Sequence, residues 1–339
     1  MATLDDIAQE LGVSKGTVSK ALNGAKDVSK KMQQAVLEKA VELGYSRTMR
    51  SSDQKRIAVF VINMEYLRAD DFGYDIVMGF RQAAEPAGFQ VSVIPLTRKL
   101  QSAVRYDEYM MLENFCGGVF LGMSLVDPWI REFETCQTPT VVYDNHISCN
   151  PNVTDIGVDS VEGIALAVNY LRSLGHSRIG YIGSAQEAYV YQQRYQSFIQ
   201  VMTGLGLQAD ADVMGSSQNV STCVSEHLPR LLKNGCTAII CSHDVLAHSA
   251  AVCCNEMRLR IPEDVSIMGY DDIPLCSYTT PPLTTIRQNR PALGKSAFYA
   301  LSSHLNGVPL STHMLHAELI CRASCGPVRK EAIQVSDRS

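Results

Sequence analysis

The chain has 339 residues, of which 46% are hydrophobic, and this is enough for two large cores and a small one. The mean hydropathy is −0.02, and no apolar run approaches the roughly 18 residues that span a bilayer, so we expect no membrane partner. The net charge of −5 is uneven, because residues 1–56 hold ten basic and seven acidic side chains. These residues carry +3 and the rest −8, which favours a polyanionic partner at the N-terminal end.

The opening residues and the cysteines indicate a cytoplasmic protein. The start, "MATLDDIAQE", lacks the basic and apolar regions of a secretory signal. The eleven cysteines form no C-x-x-C pair and fall mostly within apolar runs. This is typical of free, buried thiols in a reducing compartment, so we expect neither a metal site nor a cofactor.

Residues 1–46 predict three short helices. Thr3 and Asp6 have the spacing of a capping box, and they precede an apolar helical face formed by Leu4, Ile7, Ala8 and Leu11. Gly12 ends this helix, and Ser14 caps the next one, whose inward face consists of Val18, Ala21 and Leu22. Ser29 caps the third helix, whose buried stripe consists of Met32, Val36, Ala40 and Leu43.

Two short helices joined by a tight turn and supported by a third form a helix-turn-helix, whose second helix enters the major groove of DNA. Lys15, Gly16 and Lys20 face outward where such a helix reaches base edges. Lysine can donate to guanine O6 and N7, and glycine permits close approach of the backbone. Thr17 and Asn23 are suited to phosphate contacts. A solvated helix face is the alternative interpretation for each lysine.

These residues resemble a known family. The stretches "TLDDIAQELGVSKGTVSKALNG" and "VSKKMQQAVLEKAVELGY" are similar to the whole DNA-binding headpiece of the lac-repressor (LacI/GalR) family of transcription regulators, and V-S-x-x-T-V-S over residues 13–19 is the strongest element. The resemblance implies that Lys15, Gly16 and Lys20 read bases. The predicted DNA-contacting residues are Ser14, Lys15, Gly16, Thr17, Ser19, Lys20 and Asn23.

Residues 47–56 form a short linker after this headpiece. Members of the family usually have a longer linker with an A-R-S-L-like segment, which folds into a hinge helix on DNA and wedges a leucine into the minor groove. That segment is not recognisable here. Met49 could serve as a substitute wedge, but a Ser-, Arg- and Asp-rich linker is more simply a flexible tether.

From Ile57 onward, short apolar runs alternate with helical patterns, which predicts βαβ units and parallel sheets with helices on both faces. The predicted strands are "IAVFVIN", "FQVSVIPL", "GGVFLGM", "TPTVVYDN", "RIGYIGS", "TAIICSHD" and "VSIMGYDD". Because roughly 270 residues exceed one core, two α/β subdomains are expected.

Polar residues just past strand ends are the candidates for ligand binding, because ligands of such sheets bind at the carboxyl ends of the strands. The candidates, with one aromatic residue that opens the first helix, are Phe72, Asp159, Arg194, His243 and Asp271. Carboxylates accept from hydroxyl groups, arginine donates in a fork and a ring packs on C–H faces, so this set suits a polyhydroxyl ligand. For Asp244 and Asp272, a helix cap or a surface charge is the competing interpretation.

The resemblance extends over nearly the full chain. The stretches "GHSRIGYIG", "RIPEDVSIMGYDDIPLCSYTTPPLTTIRQNRPALG" and "ELICRAS" are similar to the effector-binding core of the same family. It implies an N-terminal all-α helix-turn-helix headpiece and an α/β periplasmic-binding-protein-like core of two subdomains with parallel sheets. The implied core is 57–328, with an N-subdomain of about 57–155 and 287–316, a C-subdomain of about 158–284 and 318–328, and a tail of 329–339.

The resemblance also assigns roles in the core. It implies that Arg194 and Asp271 contact an effector, that Phe72 is at an aromatic effector position and that Asp159 lies in the same pocket. His243 stands where the family usually has Asn, so effector binding could depend on pH near about 6.5. Asn219 stands where a second aromatic residue is expected, which predicts a more polar pocket.

These features predict a cytoplasmic, sequence-specific transcription repressor that binds a pseudo-palindromic operator as a homodimer. A small-molecule effector, a sugar or glycoside, would bind between the two subdomains and change the affinity for the operator. No leucine heptad follows Gly326, which favours a dimer over a tetramer.

Three alternatives remain. The first is a small-molecule-binding protein of the same fold whose DNA binding is weakened by the short hinge, and the second is a transport-type binding protein. The third is an enzyme, but no G-x-G-x-x-G follows the first strand and neither a P-loop nor a nucleophile elbow is present, so we predict no catalytic residues.

Overall fold

The computed structural model describes residues 2–22, 25, 27–45, 55–184 and 188–328. Asn23, Met49, most of the predicted linker and the tail lie outside these ranges. The chain divides into two compact units: unit 1 is Met1–Ile156 with Arg290–His313, and unit 2 is Gly157–Asn289 with Met314–Ser339. The subdomain bounds expected from the sequence place the crossings near residues 155–158, 284–287 and 316–319, and the observed divisions after Ile156, Asn289 and His313 agree with the first of these.

The helices and strands alternate along most of the described chain. The helices are α1 Leu4–Leu11, α2 Lys15–Leu22, α3 Lys30–Glu42, α4 Phe72–Ala84, α5 Arg98–Ala103, α6 Tyr106–Leu112, α7 Pro128–Glu132, α8 Ser160–Ser173, α9 Tyr189–Gly204, α10 Val220–Thr222, α11 Leu228–Lys233, α12 Asp244–Glu256 and α13 Arg290–Leu305. The strands are β1 Lys55–Val61, β2 Phe89–Pro95, β3 Gly117–Leu121, β4 Thr140–Tyr143, β5 Val153–Val158, β6 Ile179–Ser184, β7 Met214–Ser217, β8 Ala238–Cys241, β9 Ser266–Asp271, β10 Thr284–Arg287, β11 Thr312–Leu315 and β12 Glu318–Ile320. A π-helical turn, Cys223–His227, and a 3₁₀ turn, Pro274–Ser277, complete the set.

The three helices predicted for the headpiece are confirmed, together with their caps. Thr3 and Asp6 form the complete capping box of α1, and Gly12 ends this helix with a left-handed φ of 63°. The Ser29 side chain accepts a hydrogen bond from the amide of Met32 and so caps α3. The side chains that close the small core are Ile7, Ala8, Val18, Ala21, Leu22, Val36, Leu37 and Ala40.

Two six-stranded sheets follow the headpiece. Their strand orders are β11-β5-β4-β3-β1-β2 and β12-β10-β9-β8-β6-β7. The pairs from β1 to β5 and from β6 to β10 are parallel, as predicted, whereas β12 runs antiparallel to β10. Continuous apolar runs such as Gly117–Leu121 are buried on both faces, because helices cover a parallel sheet on either side.

Two strands include residues that were expected to lie outside the sheets. The first strand begins at Lys55, so Lys55 and Arg56 belong to the sheet and not to the linker. Thr284–Arg287, expected as a crossing, is a strand of the second sheet with Thr284 and Thr285 fully buried. The chain leaves unit 2 only after Asn289, because these threonines are held in the β9–β10 ladder.

Helices α4 and α13 of unit 1 meet through glycine. A Cβ atom on Gly79 would collide with the carbonyl oxygen of Pro291, and one on Gly294 would collide with the carbonyl oxygen of Ile76. The two helix backbones therefore touch directly, with no side chain between them at these points.

Two predictions about composition can be compared with the described residues. All eleven cysteines are free and seven of them are buried, which confirms the prediction of free, mostly buried thiols. Within the described ranges, no helix combines the length and the apolar character needed to cross a membrane.

Candidate DNA interface and candidate effector site

Helix α2 presents a polar face to solvent because its apolar face is buried in the headpiece core. Ser14 caps the helix, since its side-chain oxygen accepts a hydrogen bond from the Thr17 amide at 3.1 Å. The hydroxyl groups of Ser14 and Thr17 also lie 2.9 Å apart. The exposed residues of the face are Ser14, Lys15, Gly16 and Lys20, while Thr17 and Ser19 are half-buried. The six described residues of the predicted DNA-contacting set thus lie on one short helix and its cap.

Both lysines of this face form ion pairs with aspartates. Lys15 Nζ lies 2.6 Å from Asp5 Oδ2, and Lys20 Nζ lies 2.5 Å from Asp27 Oδ2. The hydrogen bond from Lys20 lowers the pKa of Asp27, so this carboxyl is ionised at neutral pH. Neither pair was predicted from the sequence, because neither aspartate is three or four residues from its lysine.

Gly16 is not required by the fold. A Cβ atom at this position would make only an ordinary contact of 3.6 Å with Ser14 Oγ. Internal packing therefore does not explain a glycine in the first turn of α2, where it weakens the helix by about 1 kcal/mol relative to alanine. Close approach of the backbone to DNA remains a prediction.

Arg194 is the centre of a buried polar cluster in unit 2. Its side chain comes from α9, and its guanidinium donates to the Ser242 carbonyl at 2.5 Å and to Asp271 Oδ1 at 2.9 Å. The guanidinium also stacks 3.9 Å from the centre of the Tyr270 ring. With only 2% of Arg194 exposed, its orientation is fixed by these contacts.

Asp271 ends β9 in a strained backbone conformation. Its φ is 111° and that of Asp272 is 53°, and conformations of this kind cost about 1–3 kcal/mol each. Gln288, which follows β10, donates to Asp271 Oδ1 at 2.6 Å. Two donors therefore converge on one oxygen of Asp271, at the carboxyl ends of adjacent strands.

His243 has a defined tautomer in this cluster. It caps α12, because Nδ1 accepts the amide of Leu246 at 3.2 Å, so the ring proton of the neutral imidazole is on Nε2. Its ring lies 5.5 Å from that of Tyr191. Burial lowers the pKa of His243 to about 4, so the ring is neutral across physiological pH. The expectation that this histidine makes effector binding pH-dependent near about 6.5 is therefore wrong.

The other candidate residues have different surroundings. Asp159 caps α8 by accepting the amides of Val161 and Glu162 at 2.8 and 3.0 Å. Phe72 opens α4 in unit 1, where the Arg290 guanidinium lies 5.4 Å from its ring. The cluster in unit 2 thus joins Arg194, Asp271 and, through the adjacent Ser242 carbonyl, His243.

Asn219, Asp244 and Asp272 each have partners within the fold. Asn219 caps α10 by accepting the Thr222 amide at 2.7 Å. Asp244 accepts from the Ile273 amide at 2.9 Å and the Thr285 hydroxyl at 2.6 Å, and burial raises its pKa to about 7. Neither aspartate caps a helix.

Asp272 is held between two arginines. It accepts from Arg287 Nε and from Arg322 Nη2, each at 2.7 Å. This buried carboxylate therefore ties β9 to β10 and to the segment after β12.

Gln288 and Tyr191 were not among the predicted site residues. Gln288 follows β10, so the rule about strand ends would have selected it if that strand had been predicted. Tyr191 lies in the first turn of α9, which starts at Tyr189. Its position facing His243 depends on the path of α9, which no local pattern reveals.

Comparison with known proteins agrees with this arrangement. Residues 3–48 match the model of bacterial regulatory proteins of the lacI family, and residues 168–325 match that of a periplasmic binding protein-like domain. The HTH-type transcriptional repressor CytR of Escherichia coli (strain K12) is 29% identical over 333 residues, which cover 95% of this chain and 96% of CytR.

Two solved structures share the fold. That of the transcriptional regulator CelR in complex with cellobiose has a TM-score of 0.68 at 23% identity and covers 96% of this chain and 100% of CelR. That of the lac repressor dimer bound to operator and the anti-inducer ONPF has a TM-score of 0.64 at 23% identity and covers 96% of this chain and 99% of the repressor.

The two domain matches and the nearly full-length repressor relative agree with the helix-turn-helix headpiece and the two parallel sheets. The chain therefore combines a headpiece of the lacI family of bacterial regulatory proteins with a periplasmic binding protein-like domain and is a DNA-binding transcription regulator.

Proposed function

We propose that this protein is a cytoplasmic repressor that binds a pseudo-palindromic operator as a homodimer and whose operator affinity is changed by a sugar or glycoside. The observation that carries the proposal is the exposed face of α2. Lys15, Gly16 and Lys20 lie there, on the face that a recognition helix turns toward the bases. A helix of this kind fits the major groove, and two copies related by a two-fold axis fit two half-sites.

The polar cluster of unit 2 supports a polyhydroxyl effector. The Arg194 guanidinium, the Asp271 carboxylate and the Nε2–H of His243 provide donors and an acceptor close together. A sugar hydroxyl both donates and accepts, and the ring of Tyr191 offers a face for its C–H groups. The structural relative CelR is a complex with cellobiose, which supports a glycoside of this class.

Exposed apolar side chains on unit 2 support the second copy of this chain as a partner. Val245 and Val252 lie seven residues apart on α12, hence on one helical face, and about half of each is exposed. Tyr278 is 83% exposed. Val252 also lines a groove with Thr279, Thr280 and Pro281. Covering such side chains would remove apolar area from water.

An effector changes DNA affinity only through a difference in its affinity for two states of the repressor. We propose that ligand contacts to Arg194 and Asp271 supply that difference. Asp271 lies at the end of β9 in a strained backbone conformation, and the Arg194 side chain reaches it from α9.

The test begins with selection of a duplex from a randomised library by the full chain. Fluorescence anisotropy then compares the selected duplex with a random one, with and without a panel of mono- and oligosaccharides. We expect strong preference for the selected duplex, a steep loss of affinity as salt rises and a sugar that changes the affinity. Absence of any preferred duplex contradicts the proposal and favours a small-molecule-binding protein with weakened DNA binding.

A further inference from the structure

The ion pairs of α2 are built into the headpiece fold. Asp5 lies in the first turn of α1 and Asp27 lies just before α3, whereas both lysines lie on α2. The three helices share one buried core, so the aspartates are fixed next to the recognition helix. When α2 docks on DNA, the carboxylates of Asp5 and Asp27 are therefore close to the DNA as well.

Each of the four charged side chains is nevertheless accessible. Exposed fractions are 58% for Lys15 and 64% for Asp5, and 59% for Lys20 and 57% for Asp27. Ion pairs between such exposed groups are weak, so a DNA group can displace a carboxylate from a lysine. Both members of each pair can also reach the same ligand.

We propose that Asp5 and Asp27 determine the specificity of DNA binding by restraining Lys15 and Lys20. The inference rests on the proposed function, because it assumes that α2 faces the bases. The aspartates weaken binding to DNA of the wrong sequence, which the lysines alone cannot do.

The physical reason is the charge of the phosphate backbone. Binding without sequence preference depends on the release of counterions when lysines neutralise phosphates. A lysine already paired with a carboxylate releases fewer counterions, and the carboxylate itself is repelled by phosphates. Asp5 and Asp27 therefore lower the affinity for every duplex that offers phosphates alone.

A cognate base pair removes this penalty. In the major groove, a G·C pair presents guanine O6 and N7 as acceptors beside the N4 amino group of cytosine as a donor. The ammonium group of Lys20 can donate to guanine while the adjacent Asp27 carboxylate accepts from cytosine. Lys15 and Asp5 have the same pairing of donor and acceptor. An A·T pair places its single amino donor between two acceptors, so the order of groups differs from the two acceptors followed by a donor of G·C.

The experiment compares Asp5→Asn and Asp27→Asn with the wild-type full chain, without effector, on the duplex selected by the wild type and on a random duplex. For each variant we expect affinity for the random duplex to rise about threefold or more. The slope of log affinity against log salt should steepen by up to about one. The ratio of selected to random affinity should fall.

Glu42→Gln is the matched control. The exposed Glu42 forms an ion pair with the half-buried Lys39 on α3 at 2.6 Å, so the substitution removes the same charge without freeing a lysine of α2. We expect this variant to change the selected-to-random ratio little. Circular dichroism of all three variants checks that α1 to α3 remain folded, as expected for exposed pairs.

The outcomes separate this inference from the proposed function. If the wild type prefers no duplex, the proposed function fails. If the wild type is selective but Glu42→Gln raises random binding as much as the aspartate variants do, net charge explains the effect and the inference is overturned. It is also overturned if the aspartate variants retain the full ratio.

Discussion

The recognition face of α2 and the cluster around Arg194 both contain Arg or Lys paired with Asp, but their surroundings differ. More than half of Lys15 and of Lys20 is exposed, whereas the Arg194 side chain is 3% exposed and that of Asp271 is 16% exposed. An exposed pair contributes about 0–1 kcal/mol and can exchange partners. A buried pair cannot lose one partner without leaving an unpaired charge in the protein.

The difference indicates two ways in which a regulator handles charge. If α2 binds DNA as proposed, weak pairing allows its lysines to leave their aspartates, and discrimination comes from competition between partners. If the cluster around Arg194 binds the effector as proposed, strong pairing holds its donors and acceptor in place beforehand, and discrimination comes from a fixed geometry. The following substitutions test this contrast, from the largest expected effect to the smallest.

Arg194→Ala should have the largest effect. It leaves the Asp271 carboxylate with Gln288 as its remaining donor in the cluster, so the free energy of unfolding should fall by about 3–5 kcal/mol. Urea unfolding followed by far-UV circular dichroism measures the loss. Arg68→Ala, which breaks an exposed pair with Asp70, should change stability by less than about 1 kcal/mol. Equal losses would contradict the contrast.

His243→Asn should alter the pH dependence of stability. Because the folded-state pKa of about 4 lies below the unfolded value of 6.5, the unfolded state binds the proton first as pH falls. The wild type should therefore lose up to about 3 kcal/mol relative to the variant between roughly pH 6.5 and 4, and no such change should occur above pH 7. Asparagine can still cap α12.

Urea unfolding of both proteins at several pH values provides the measurement. Asp244 is present in both, so its opposite contribution, which is lost as pH rises toward about 7, cancels in the difference. A difference that does not depend on pH would show that His243 titrates normally.

Lys20→Ala should reduce the preference for the selected duplex over single-base variants by about 1–3 kcal/mol at one base pair of each half-site. Lys31→Ala is the control, since Lys31 is exposed on α3 and carries the same charge. Anisotropy titrations of both variants with the selected duplex and its single-base variants distinguish the effect of Lys20→Ala from that of Lys31→Ala. If both variants weaken all duplexes equally, Lys20 contacts phosphates only.

Ser29→Ala should have the smallest effect, a loss of about 1 kcal/mol confined to the headpiece, because it removes the cap of α3. Hydrogen exchange of the Val36 and Ala40 amides measures it. Ser29→Asp retains the acceptor and should preserve protection. Loss of protection in both variants would mean that the cap bond is not what stabilises α3.

The headpiece was predictable from sequence because its signals are local. Capping boxes, terminal glycines and apolar spacing act within one turn of helix, and the caps at Thr3, Ser14 and Ser29 are all present. The βαβ pattern likewise predicted the strands that are continuous apolar runs. The Thr-rich β10 was missed because its burial depends on neighbouring strands.

The candidate site was predictable only in part. The strand-end rule placed Arg194, His243 and Asp271 in one unit, and the structure brings them together. The tautomer and low pKa of His243 could not be predicted, because they depend on a helix cap and on burial. The effector roles of these residues, and that of Phe72, remain predictions.

The glycine contact between α4 and α13 has a consequence for evolution of the protein. Any side chain at Gly79 or Gly294 would collide with main-chain atoms, which cannot rotate aside. A substitution at either position is therefore tolerated only if α4 and α13 also move apart. In a library of random codons at both positions, functional clones should retain glycine even where the surrounding residues vary freely. The glycine contact thus limits how far the sequences of relatives can change in this unit while α4 and α13 keep their spacing.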